Sequence, residues 1–124
     1  MSRTASPPAS VEGPWYVTGY NNGAEAVVTP IVGSEPSISF HPDGTVEGFG
    51  GCNQFGGGYS VDGDTIAIGP LHSTLIACSD EINAQEVQFL TALEAATTWQ
   101  VQGEALELRD DAGALQVSAV SAIG

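Results

Sequence analysis

Few side chains in this chain could do covalent or metal chemistry. Cys52 and Cys78 are the only cysteines, and His41 and His72 the only histidines. A nucleophilic thiol needs a histidine or another positive charge to hold it as thiolate. Neither histidine stands in a papain-like or caspase-like context, and the only other cations are Arg3 and Arg109. The cysteines therefore read as structural, either bridged or as two reduced core residues, and a Cys-dependent enzyme is the weakest alternative. A bridge across their 26-residue separation would add about 3 to 4 kcal/mol from loop-closure entropy. Zinc needs clustered ligands such as C-x-x-C or H-x-x-x-H, and neither spacing occurs, so no metal is expected. Ser73 beside His72 on a strand would point to the opposite face, which argues against a Ser/His pair.

The segment Gly48–Tyr59 carries six of the sixteen glycines. It is not a phosphate loop: the Walker pattern requires a lysine, the chain has none, and a strand rather than a helix should follow. The dinucleotide fingerprint fails as well, because Asn53 occupies the third glycine position. Glycines here are expected to permit bulges and close backbone approach around Cys52. The carboxylate pairs Asp62/Asp64, Asp80/Glu81 and Asp110/Asp111 fall at turns or at a helix start, and the first lacks the closing ligands of a calcium loop. No catalytic set, metal site or cofactor site is expected from these residues.

The elements that must position them are short. Ser37–Phe40 and Thr45–Glu47 flank Pro42-Asp43-Gly44; Tyr59–Val61 and Thr65–Ile68 flank Asp62-Gly63; Ala105–Arg109 and Ala114–Val117 flank Asp110–Gly113. Each pair alternates polar and apolar residues around a glycine turn, the pattern of an antiparallel hairpin with one buried face. Trp15–Tyr20 is predicted as the first strand and Trp99–Gln102 as another. From Ala84 to about Thr97 there is neither Gly nor Pro, and Phe89, Leu90 and Leu93 recur at helical spacing. This predicts one long helix, capped by Asn83 with Glu86 three residues on, and with Asp80 and Glu81 near its positive end. The fold class expected is α+β: a curved, mostly antiparallel β-sheet, a partly closed barrel, with one long helix packed on it.

At 124 residues the chain is one domain, and its 29 Leu, Ile, Val and Phe residues suffice for a core. Fifteen acidic residues against two basic ones give a net charge of −13. That balance excludes a binder of nucleic-acid backbone and a polybasic membrane-surface module. No apolar run is long enough for a transmembrane segment. Residues 1–12, with Thr4-Ala5-Ser6-Pro7-Pro8-Ala9-Ser10, read as a flexible tether, residues 13–120 as the domain, and 121–124 as a frayed end.

With Trp15 opening the first strand, Gly51-Cys52-Asn53 followed by Phe55, Gly57 and Tyr59, and Ser73-Thr74-Leu75-Ile76-Ala77-Cys78 further on, the sequence resembles the META domain family, that of the heat-shock protein HslJ. Glu86, Phe89 and Leu90 after the second cysteine, and the closing pair Leu106-Glu107-Leu108 and Leu115-Gln116-Val117, extend the resemblance over nearly the whole chain. The resemblance implies a small α+β domain of exported or envelope-anchored bacterial proteins, with no enzymatic activity established for the family. It makes Trp15, Gly51, Asn53, Phe55, Gly57, Tyr59 and Thr74 structural or groove residues. Asn53 and Thr74 would bond backbone of the glycine turn, and Phe55 and Tyr59 would fill the space beneath the helix. The expected function is a noncatalytic cell-envelope or secreted module, monomeric, binding a basic protein or peptide or protecting under stress. Trp15, Tyr16, Tyr20 and Trp99 would be its anchors if exposed together. The alternative is a small acidic inhibitor of a basic hydrolase, a lysozyme or a protease.

Overall fold

All three hairpins form where the glycine turns place them. The computed structural model describes residues 10–24 and 26–122. Its strands are β1 (Gly13–Asn21), β2 (Val27–Val28), β3 (Ser37–Phe40), β4 (Thr45–Phe49), β5 (Gln54–Asp62), β6 (Thr65–Ser73), β7 (Thr98–Gln102), β8 (Ala105–Arg109) and β9 (Leu115–Ser121), with one helix, α1 (Asp80–Ala95), between β6 and β7. Gly44, Gly63 and Gly113 take positive φ at the three turns, as glycine permits without a Cβ clash. Most of the tether lies outside the described residues. Its last part is fixed, because Val11 is buried and its carbonyl accepts the Trp15 indole N–H at 2.7 Å. At the other end the sheet runs past the expected boundary: Ser121 pairs with Trp15, and Ala122 N donates to Pro14 O at 3.1 Å.

Neighbouring strands pair antiparallel throughout, and β1 joins β3 on one edge and β9 on the other, closing the sheet into a ring. The ring is not a regular barrel. Between β6 and β7 the only register pair is Thr65 with Thr98, flanked by Ile66 N to Thr97 O and Trp99 N to Asp64 O. Past that point β6 runs on through the cis Gly69–Pro70 bond, opposite a bulge in β5 between Gly57 and Tyr59. There Leu71 N donates to Glu94 Oε2 at 2.8 Å, so the helix supplies the acceptor that β7 does not. A Cβ on Gly57 would meet Pro70 O at 2.5 Å, which is why the bulge takes glycine.

The helix starts a turn earlier than predicted and ends sooner. Ser79, not Asn83, is the N-cap, its Oγ accepting Ile82 N–H, while Asp80 and Glu81 occupy the first turn as expected. Asn83 instead brackets Cys78, accepting its N–H and donating to its carbonyl. Glu86 is no capping residue; it turns inward. At the far end Ala96 is already extended. The inner face of α1, with Phe89, Ala92 and Leu93 buried, closes over a core of Ile38, Phe40, Val46, Phe55, Leu106, Leu108 and Val117. Phe55 meets Phe89 edge-on at 5.7 Å, so it does lie beneath the helix. Tyr59 does not. It stacks edge-on against Phe40 and donates its hydroxyl to His41 O at 2.7 Å, because the β5 bulge carries it toward the β3–β4 turn.

Candidate functional site

Two residues of α1 face the glycine segment, and each is held there by polar bonds in a nearly dry environment. Gln85 accepts Ile31 N–H at 2.8 Å and donates to Ser34 Oγ and to Gly50 O, each at 3.1 Å. It thereby pins the loop ahead of β3 and the Gly50 turn to the helix. Gly51 lies against the same side chain with φ +122°, and a Cβ there would meet Gln85 Nε2 at 2.9 Å. Glu86 Oε2 accepts the backbone N–H groups of Cys52 and Asn53, and Oε1 accepts Asn53 Nδ2–H at 2.8 Å.

Asn53 passes this order on. Its Oδ1 accepts Thr74 Oγ1–H at 2.8 Å and Ile76 N–H at 2.7 Å. Its Nδ2 donates to Ile76 O at 2.9 Å as well as to Glu86. Two acceptor sites and two donors are all used, the full capacity of an amide side chain. The partners are not the glycine turn, as the sequence suggested, but residues 74–76, because β5 places Asn53 directly behind that segment. Thr74 Oγ1 also accepts Gln54 N–H, and Thr74 N donates to Gln54 O. Cys78 at the end of the segment is bridged to Cys52, with Cα atoms 6.3 Å apart, so the cysteines form a disulfide rather than free thiols.

What this apparatus holds is a segment that faces solvent. Leu75 is 93% exposed and Ile76 61%, with Val87 of α1 at 66% beside them. A cleft of about 240 Å³ lies behind the segment, lined by Asn53, Thr74, Ile76, Val87 and Leu90. A larger depression of about 530 Å³ sits on the outer face of β3 to β6, lined by Ser39, Glu47, Phe49, Gln54 and His72 over Gly56.

The remaining sequence-predicted residues scatter. Trp15 and Tyr20 are buried, Tyr16 is exposed, and Trp99 donates its indole N–H to Gly63 O. The four rings therefore form no common anchor surface, since β1 alternates its side chains between core and solvent. His41 is 2.7 Å from Glu47, and His72 lies on β6 opposite Gly56. Asp110 organises its turn through Ala112 N, Ala114 N and Gln116 Nε2. Asp43 is held below its ordinary carboxylate pKa by the Thr45 hydroxyl and amide. Among the described residues no three His, Cys, Asp or Glu side chains converge as a metal site, and no helix is long and apolar enough to cross a membrane. Gln85 and Ser34 carried no signal in the sequence; Asn53 among glycines and Thr74 of the Ser73–Cys78 segment were the visible half of the network.

Fold and site together describe a ring-closed, mainly antiparallel domain with one plugging helix and a polar pin beneath an exposed apolar segment. Residues 9–122 match the META domain family, and the chain belongs to it. The protein resembles the NMR structure of a protein from Burkholderia xenovorans, with a TM-score of 0.72 at 20% identity over 98% of this chain and 95% of that one. It also resembles a crystal structure of a duf4847 family protein from Bacteroides vulgatus, with a TM-score of 0.59 at 19% identity over 89% and 92% of the two chains. These likenesses show the fold. No curated protein is significantly similar in sequence.

Proposed function

We propose that this META domain is a noncatalytic, extracytoplasmic protein-binding module whose contact surface is residues 74–78 with the adjoining Val87. One observation carries the reading: strongly exposed apolar side chains, Leu75 above all, sit on a segment that Asn53 and the disulfide hold in one shape. Exposed apolar groups usually cost solubility, and a loop pre-organised to show them loses little entropy on binding. A disulfide supports an oxidising compartment, the envelope or the exterior. The chemical residues support a noncatalytic role, since both sulfurs are bridged and the buried amides and carboxylate are consumed by backbone groups and by side chains of the same network. Net charge of −13 favours a basic partner and fast, salt-sensitive association.

The test places a photo-crosslinking amino acid at position 75, or at Val61 near the opposite hairpin, in protein exported into the envelope of its own host. The expected outcome is one protein adduct from position 75 and none from position 61, competed by excess wild type and not by Leu75→Asp. Equal labelling from both positions would remove the reading.

A further inference from the structure

The hydrogen bonds around Leu75 are arranged about a single peptide bond. On its amino side, Thr74 is tied through Oγ1 to Asn53 Oδ1 and through its N–H to Gln54 O. On its carboxyl side, Ile76 is tied through both N and O to the same Asn53 amide, at 2.7 and 2.9 Å. The Leu75–Ile76 bond thus lies between two residues anchored to one buried side chain, and that side chain is fixed in turn by Glu86. Two residues further on, the Cys52–Cys78 bridge joins the part of the chain after this bond to the part before it. A chain cut between Leu75 and Ile76 would remain one molecule with both new ends held in place.

We infer that residues 74–78 form a substrate-like inhibitory loop for a serine protease with an apolar specificity pocket, Leu75 being the side chain that enters the pocket. The inference rests on the reading of this segment as the contact surface and names its partner. In the complex the protease serine Oγ bonds to the Leu75 carbonyl carbon as the carbon–nitrogen bond to Ile76 breaks. The serine proton passes through the protease histidine to the Ile76 nitrogen. An ordinary leaving group then diffuses away and water enters. Here the Ile76 amine stays beside the acyl carbon, held by Asn53, so re-attack competes with hydrolysis as an intramolecular reaction. The amine returns its proton through the histidine to serine Oγ, the peptide bond re-forms, and the protease stays occupied. The acidic surface, with Asp80 and Glu81 immediately after the loop and Arg109 engaged by Glu107, would steer a protease of net positive charge.

Chymotrypsin, with its apolar pocket, and trypsin, with an aspartate in the pocket, are the probes. The folded, oxidised protein should inhibit chymotrypsin with micromolar or better affinity and leave trypsin active. Leu75→Asp should weaken that inhibition by roughly 100-fold, the scale on which a wrong side chain is rejected from such a pocket. Leu75→Lys should transfer inhibition to trypsin, an effect that no structural role of Leu75 predicts. Thr74→Val, which removes both hydrogen bonds of Oγ1, to Asn53 Oδ1 and from Gln54 N, and keeps the side-chain outline, should turn the inhibitor into a substrate nicked faster between residues 75 and 76. If chymotrypsin is unaffected at high micromolar protein, or cuts that bond in the wild type without being inhibited, the inference falls. A competed crosslink from position 75 in that case leaves the binding reading standing; loss of the crosslink as well removes both.

Discussion

Glu86 holds Asn53 by two of its donors at once: Oε2 accepts the backbone N–H and Oε1 the side-chain Nδ2–H. A helix residue therefore fixes both where Asn53 sits and which way its amide faces. Without that, the amide oxygen and nitrogen would be free to exchange roles, and the Thr74 and Ile76 bonds would lose their acceptor. The Gly-Cys-Asn motif is thus half of a lock whose other half lies in α1, 33 residues along the chain.

Glu86→Gln is expected to lower stability by about 1 to 3 kcal/mol, since the new NH₂ would confront N–H groups that need an acceptor. The urea midpoint should fall with an unchanged slope. In the same variant the Ile76 amide, protected in the wild type by Asn53 Oδ1 despite its exposed residue, should exchange with solvent deuterium near the unprotected rate. Continued protection would show that the pin does not depend on Glu86.

Gln85→Ala should cost about 2 to 4 kcal/mol, because it leaves Ile31 N–H and Gly50 O without partners in a nearly sealed site and opens a void. The isosteric Gln85→Glu should be no better tolerated, as a carboxylate would replace two donations and face the Gly50 carbonyl. Thermal melts of the two variants against wild type check both statements.

The hairpins were legible because each is local: a glycine turn and a period-two pattern lie within a dozen residues. Phe89 and Leu93 likewise announced the helix through spacing alone. Its start was misread because Asn83 and Glu86 reproduce a capping pattern, whereas their side chains serve Cys78 and Asn53. The pairing of Trp15 with Ser121 and the bonds from Gln85 to Ile31 and Gly50 join positions distant in sequence, and no local pattern encodes them. For the same reason Asn53 and Thr74 were each visible as motif residues while the bonds that join Asn53 to residues 74–76 were not.

Reduction should remove about 3.5 kcal/mol of stability, the loop-closure entropy of a 26-residue separation. Alkylation in denaturant without reductant should add no label by intact mass, and two labels after reduction. The loss should reach the 74–78 segment first, so a reduced protein would show faster proteolysis there than elsewhere.

The alkaline limb of the stability curve should belong to tyrosine. The chain has no lysine and its cysteines are bridged, so above about pH 9 the tyrosines are the side chains left to titrate. Burial, with the charges of Glu12 and Asp43 adding, pushes the Tyr59 pKa above its ordinary 10.0, and burial does the same for Tyr20. Each keeps its proton in the folded state where the unfolded chain has lost it, so folding binds more protons at high pH. The contribution is complete below pH 10 and disappears as pH rises through the folded value. Tyr59→Phe should flatten that decline above about pH 10, the ordinary tyrosine value from which the folded-state pKa is raised. It should also lower stability at pH 7 by about 1 kcal/mol, through loss of the hydroxyl bond to His41 O. Urea titrations of both proteins across this range would measure the two effects separately, and parallel pH curves would assign the alkaline limb to Tyr20.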